Sequence, residues 1–323
     1  MAKLDLRVRL LGRLLRRNSI TGQSTEQILR NQRVRVGHNP LTDLLLGAVA
    51  SGVTLADSHA AGETGPLRIR SYRPATHDGT PLPLIVNFHG GGWVVGSLDT
   101  ADWLCSNVAA AVGAVVVSVD YRLAPTHRFP AAAEDCYAAL TDVAGRAAEF
   151  GADPRRLAVM GDSAGGNLAA VTTLMARDRS GPAISFQALI YPATDLTGAS
   201  PSIDENADAP ILTRDDIVTY RDHYLGGADP TQPYASPLFA ADHHGLPRAL
   251  IQVAEHDPIR DDGLRYADVL HAAGVPVRTV AYAGMPHGFL AFPRLCRGAP
   301  RALADLTAAL RSALTDPAHH VDK

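Results

Sequence analysis

Lysine is almost missing from this chain of 323 residues. Only Lys3 and Lys323 are lysines, so 28 of the 30 basic residues are arginine. With abundant alanine, that points to a GC-rich bacterial coding bias rather than to a function. Cysteine is scarce too. Cys105, Cys136 and Cys296 are far apart, odd in number and in no C-x-x-C pair. This excludes a disulfide scaffold and argues against a cysteine metal site; buried thiols in a reducing cytoplasm are the simplest reading. Net charge is small, −3, which removes any electrostatic reason to expect nucleic acid as a partner. Low net charge with 46% hydrophobic residues excludes a disordered chain. There are no repeats, no low-complexity linkers and no apolar run of membrane-spanning length.

The first twenty residues mix Leu4, Leu6, Leu10, Leu11, Leu14 and Leu15 with Arg7, Arg9, Arg13, Arg16 and Arg17. Charge interrupts the segment too often for a signal-peptide core or a membrane span. A cytoplasmic protein is the expectation. A basic amphipathic helix on a membrane surface is one reading of the segment. The favoured reading is a helix that packs its leucines on the protein itself, so membrane contact is not expected.

Short apolar or β-branched runs recur along the chain at Leu84–Phe88, Ala114–Val119, Leu157–Met160, Ile184–Ile190 and Ala249–Val253, with strand-like alternation at Leu67–Arg73 and a further strand at Val277–Tyr282. Helical stretches lie between them, near 100–112, 130–150, 164–177, 261–273 and 301–314. Alternation of this kind predicts an α/β fold with a mostly parallel, buried sheet flanked by helices. Residues 195–237 break the rhythm, with one helical segment near Arg214–Tyr224, and read as an insertion over the strand ends, where ligands bind.

Gly161-Asp162-Ser163-Ala164-Gly165 fits G-x-S-x-G between a strand and a helix, the context that motif needs. Small flanking residues permit a sharp turn that exposes the Ser163 hydroxyl, and the N–H of Ala164 at the helix start can donate to a developing oxyanion. His89-Gly90-Gly91-Gly92-Trp93 follows the strand Leu84–Phe88, and its glycines let backbone N–H groups line one concavity. It lacks the ending of a phosphate loop and the spacing of a dinucleotide fingerprint. A nucleophilic serine needs a base and a group that orients it. Of 13 histidines, His287 sits in a Gly/Pro-punctuated loop after a strand, and Asp257 follows the strand 249–253. His256, His271, Glu255, Asp261 and Asp262 are the competitors; the last two open a helix, where acids commonly cap. The order Ser163, Asp257, His287 is that of α/β-hydrolases.

These motifs, together with Asp120-Tyr121-Arg122-Leu123-Ala124-Pro125, Phe129-Pro130-Ala131-Ala132 and Pro286-His287-Gly288-Phe289, resemble the hormone-sensitive lipase family of α/β-hydrolase esterases, over residues from about 65 onward. The resemblance implies an α/β-hydrolase fold with a helical cap built from residues 1–50 and about 195–237 on a catalytic domain of residues 51–323. It implies a triad of Ser163, Asp257 and His287, an oxyanion hole from Gly91, Gly92 and Ala164, and His89 as a brace for the glycine loop. One departure is Thr126, followed by His127 and Arg128, where the family usually carries a glutamate; this removes one carboxylate from the neighbourhood of Arg122.

The expected activity is hydrolysis of short- to medium-chain carboxylic esters through an acyl-enzyme, without metal or organic cofactor. An amidase or deacetylase on the same triad, a lipase acting at an oil–water interface and a non-catalytic small-molecule binder are the alternatives. Trp93, Tyr191 and Phe289 are pocket candidates, as are Tyr220 and Tyr224 of the insertion, with ordinary core packing the competing role for each. An edge strand near Val277–Tyr282 makes a second copy of the chain a candidate partner.

Overall fold

The computed structural model describes residues 4, 6–16, 19–75 and 79–315. Within them, an eight-stranded sheet organises the chain. Its strands are β1 (Val53–Ala61), β2 (Pro66–Pro74), β3 (Leu82–Phe88), β4 (Val115–Val119), β5 (Ala152–Asp162), β6 (Phe186–Ile190), β7 (Arg248–His256) and β8 (Val277–Pro286). They lie in the order β1-β2-β4-β3-β5-β6-β7-β8. β1 pairs antiparallel with β2, and β2 antiparallel with β4; the remaining pairings are parallel. The helices are α1 (Leu6–Leu15), α2 (Thr25–Gln32), α3 (Pro40–Leu46), α4 (Leu98–Val112), α5 (Ala131–Gly145), α6 (Ala164–Asp178), α7 (Ser202–Glu205), α8 (Arg214–Leu225), α9 (Arg260–Ala272) and α10 (Ala299–Thr315).

Parallel neighbours need crossovers, and helices that return over both faces bury the sheet twice. Side-chain alternation sorts the core accordingly. Leu84, Val86, Phe88, Val117 and Val159 face the side packed by α5, α6 and α9. Ile85, Val116, Ala158, Met160 and Ile190 face the side packed by α4 and α10. The strands expected from 67–73 onward are all present. β1 has no strand signal of its own: Val-Thr-Leu-Ala-Asp-Ser-His-Ala-Ala is mostly exposed and carries little apolar alternation. All nine of its residues pair with β2, so partnership, not composition, makes it a strand.

Two remote segments meet above the C-terminal ends of the parallel strands. The insertion between β6 and β7 carries α7 and α8. Its Asp216 accepts hydrogen bonds from the hydroxyls of Ser19 and Thr21, from the N-terminal segment. On α1, a β carbon at Gly12 would come within 2.3 Å of Pro210, so glycine is what lets the helix approach the insertion. The Gln32 amide donates to the carbonyls of Val94 and Ala124 at 2.7 and 2.8 Å, tying α2 to the loops after β3 and β4.

The expectation that the N-terminal leucines pack on the protein holds for one face only. Val8 and Leu11 are buried, but Leu6, Leu10 and Leu14 are 65%, 54% and 60% exposed. Their four-residue spacing sets them on the outer face, opposite the side that meets the insertion. Arg17 lies outside the described residues. Arg122 keeps ion pairs despite Thr126: Asp135 and Glu63 accept from its guanidinium at 2.7–2.8 Å. The three cysteines are buried, and none forms a disulfide. Among the described residues, no helix is long and apolar enough to cross a membrane, and no cluster of His, Cys, Asp or Glu is arranged to hold a metal ion.

Candidate active site

β5 ends at Asp162 and α6 begins at Ala164, leaving Ser163 alone in the turn between them. Its φ of 56° and ψ of −119° lie outside the regions comfortable for an L-residue, strain typical of a functional turn. The turn is tight enough to exclude side chains on either flank. A β carbon on Gly161 would sit 2.2 Å from the Gly165 carbonyl oxygen, and one on Gly165 would sit 1.9 Å from that of Phe88. The Ser163 N–H donates to the Ile190 carbonyl at 2.8 Å, pinning the turn to β6.

His287 follows β8, and Asp257 follows the adjacent β7. The Ser163 hydroxyl lies 2.8 Å from His287 Nε2, and His287 Nδ1 lies 2.8 Å from Asp257 Oδ2. A carboxylate only accepts, so Nδ1 carries the ring proton and Nε2 is free to accept from the serine. The other Asp257 oxygen accepts from the Ile259 N–H at 2.9 Å, which fixes the carboxylate plane. Both Asp257 and His287 are buried. The Tyr191 ring meets the His287 imidazole edge-on at 4.9 Å and restrains its tilt.

The glycine loop lies across from the turn. Gly91 and Gly92 adopt φ of 121° and 59°, and β carbons there would strike the Val95 carbonyl at 2.1 Å and the Tyr220 ring at 2.3 Å. Among the described residues, none accepts from the N–H groups of Gly91, Gly92 or Ala164, and all three residues line the same cavity as Ser163. His89 sits beneath the loop. Its Nδ1–H donates to the Gly90 carbonyl at 2.8 Å, its ring stacks on Tyr121 at 4.3 Å, and the Tyr121 hydroxyl donates to its carbonyl. Burial pushes its pKa down, which keeps the ring neutral.

One participant was not read from the sequence. Asp162, the variable position of the serine motif, accepts from the Gly90 N–H at 2.8 Å and so joins the serine turn to the glycine loop. Desolvation pushes its carboxyl up to about 6, with the Gly90 N–H and the nearby His287 ring pulling the other way. Nothing in the local pattern marks this contact, because Asp162 and Gly90 are 72 residues apart.

The cavity measures about 460 Å³, within the usual range for small-molecule sites. Trp93, Tyr191 and Tyr220 line it, as do Leu15 and Leu46 from the N-terminal segment and Ile211, Leu212 and Ile217 from the insertion. Two pocket candidates do not reach it. Phe289 is fully buried behind Tyr191, and Tyr224 stacks on Trp93 at 4.4 Å from the core side. Aromatic bulk at these two positions fills space between layers. The competing acids have other employment. Glu255 accepts from the Gly284 N–H, Asp261 pairs with Arg260, and Asp262 binds Ser200 of the insertion rather than capping α9. Burial also raises the Asp262 carboxyl well above its ordinary value. His271 is exposed on α9, away from the cavity.

Comparison with known proteins gives the same fold and an ester-hydrolysing family. A family profile described as the alpha/beta hydrolase fold matches residues 85–291. Carboxylesterase NlhH of Mycobacterium tuberculosis is 47% identical over 253 residues, covering 77% of this chain and 78% of that protein. Esterase LipI of the same organism is 44% identical over 277 residues, covering 85% and 87%. Among solved structures, a hyperthermophilic esterase from the archaeon Pyrobaculum calidifontis superposes with a TM-score of 0.82 at 38% identity, covering 97% of this chain and 99% of that one. An ester hydrolase from the metagenome of Lake Arreo gives 0.87 at 33% identity, covering 96% and 98%. This chain is a member of the hormone-sensitive lipase family of α/β-hydrolase carboxylesterases.

Proposed function

We propose that Ser163 is the nucleophile of this esterase, His287 its general base and acid, and Asp257 the group that orients the imidazole. The observation that carries this is the unbroken hydrogen-bonded line from Ser163 through His287 to buried Asp257, opening on the cavity. Ser163 Oγ attacks the ester carbonyl carbon while its proton passes to His287 Nε2. The tetrahedral intermediate collapses as His287 returns that proton to the leaving alcohol, and the acyl group stays on Ser163. Water then repeats the sequence and releases the acid. Asp257 stabilises the imidazolium at each stage. The oxyanion is held by the N–H groups of Gly91, Gly92 and Ala164, worth roughly 3 kcal/mol per donor. His89 and Asp162 brace the loop that presents two of them. The steps balance without a cofactor.

Residues 1–50 and 195–237 act as the cap, and the substrate is a neutral ester of short to medium acyl length. The apolar lining from Leu15, Leu46, Ile211, Leu212 and Ile217 supports an acyl chain in the cavity. β8 lies at the sheet edge and offers a second copy of the chain a strand to pair with.

Ser163→Ala tests the assignment. Turnover of p-nitrophenyl butyrate is expected to fall by at least about 10⁴-fold, with labelling by a fluorophosphonate probe abolished and the circular dichroism spectrum unchanged. Retained turnover would place the nucleophile elsewhere. Preferential cleavage of a matched anilide by the wild-type enzyme would move the reading to an amidase.

A further inference from the structure

We infer that the outer face of α1 is a docking surface for an anionic lipid bilayer. Nine large apolar side chains are exposed among the described residues, and seven of them fall in the first 46: Leu6, Leu10, Leu14, Val34, Leu41, Leu44 and Leu45. Chance exposure of single apolar residues is normal, but concentration in one segment is not. On α1 the pattern is ordered. Leu6, Leu10 and Leu14 recur every fourth residue and form one stripe, drifting only about 40° per step around the helix. Arg9 and Arg13 project beside one edge of that stripe and Arg7 beside the other, all three exposed.

The stripe is not needed to hold the helix in place. Val8 and Leu11 are buried on the opposite face, where Gly12 packs against Pro210. Arg16 secures the last turn by donating to the carbonyls of Asp208 and Ala209. The outer leucines are therefore available to another phase.

Charge identifies that phase. The first 17 residues hold six basic residues and one acid, so the remaining chain has a net charge of −8 against −3 for the whole. A basic patch on an otherwise acidic molecule orients toward a negative surface and keeps the rest of the protein away from it. Leucines flanked by arginines on a helix lying in the plane are what a bilayer interface accepts, with apolar side chains below the headgroups and guanidinium groups among the phosphates. The last turn of the same helix, through Leu15 and Arg16, forms part of the cavity wall. Docking by this face would therefore set the cavity close to the bilayer surface.

The test is flotation of the full chain with vesicles of phosphatidylcholine alone or with roughly one-third phosphatidylglycerol. Binding is expected only to the anionic vesicles and is expected to weaken steeply with added salt. The variant Leu6→Ser/Leu10→Ser/Leu14→Ser should bind about tenfold more weakly or worse, and Arg7→Gln/Arg9→Gln/Arg13→Gln should lose the preference for anionic vesicles. Neither variant alters a cavity residue, so both should keep the wild-type melting temperature and kcat/KM on p-nitrophenyl butyrate, which separates lost docking from lost folding. Flotation needs no turnover, so its outcome is independent of the catalytic assignment. No binding to either vesicle overturns the inference, as does equal binding to both. A wild-type dimer in sedimentation velocity that the leucine variant converts to monomer, without vesicle binding, overturns it in favour of self-association.

Discussion

Asp162 carries two demands at once. Its carboxylate holds the Gly90 N–H and lies near the His287 ring, yet it is shielded enough from water for its pKa to rise to about 6. A raised carboxyl is a cost to folding wherever the group must ionise. The unfolded chain loses this proton near 3.8 and the folded one near 6, so the penalty is absent below about pH 4, grows between pH 4 and 6 and is constant above. Asp162→Asn removes the charge and keeps an oxygen for Gly90. It is expected to raise stability at pH 7 by up to about 3 kcal/mol, with no gain at pH 4, as read by urea denaturation at the two pH values. Its kcat/KM should fall several-fold, because the negative charge near the imidazolium is lost. Equal stability of the two proteins at pH 7 would show that the burial cost is relieved elsewhere. That Ser163, His287 and Asp257 meet was legible because each sits in a local pattern of strand end, glycine and proline. Asp162 was not, because its role depends on which loop the fold places opposite it.

Elements differ in how much of their position they carry in their own sequence. β3, β4 and the Leu157–Gly161 part of β5 are buried on both faces, and their apolar runs announce them. β1 owes its form to β2, and the orientation of α1 depends on contacts with the remote insertion, among them the close approach of Gly12 to Pro210, so neither could be read locally. The crossing of β3 with the β5–α6 turn is equally unforgiving. Gly165→Ala would press a methyl group into the Phe88 carbonyl at 1.9 Å. Backbone cannot yield as a flexible side chain does, so a loss of about 3 kcal/mol or more is expected, measurable as a lower melting temperature and lower soluble yield. The segment bearing α3 is held by a different device. His38 bridges Asp43 of α3 and Asp102 of α4 at 2.9 Å each, beside Asp99 and the Arg70 guanidinium of β2, which also binds Asp102. Hydrogen bonds to the two carboxylates raise the His38 pKa above 6.5, with burial opposing. Its contribution is then complete below pH 6.5 and is lost as the pH rises through the folded value. His38→Ala should flatten the gain in melting temperature expected between pH 8 and 6. The effect is modest because the imidazole is 39% exposed, and an unchanged pH slope would remove the bridge from the stability of the segment.

At the scale of the whole molecule, the cavity is closed by parts of the chain that lie far apart in sequence. Its reactive end is built by the sheet, from the glycine loop after β3, the turn after β5 and the loops after β7 and β8. Its apolar wall is built by α1, α3 and α8, which the sheet does not position directly. On the proposed reading, reaction chemistry and substrate length are set by different structures, and changing the wall need not disturb the line from Ser163 through His287 to Asp257. A volume of about 460 Å³ with part of its lining polar leaves limited room for an acyl chain. Across p-nitrophenyl esters from acetate to palmitate, kcat/KM is expected to peak between butyrate and octanoate and to fall by at least about tenfold at palmitate, since each methylene that fits contributes about 0.8 kcal/mol and those that do not fit contribute nothing. Tyr220 is the side chain best placed to set that limit. It lies on α8, and its ring presses on Gly92, where a β carbon would have to displace it. Tyr220→Ala opens space directly beside the glycine loop. The peak should move toward longer chains while kcat for butyrate changes little, whereas a uniform fall across the series would mean that Tyr220 holds the glycine loop in place and the chain-length limit lies elsewhere in the wall.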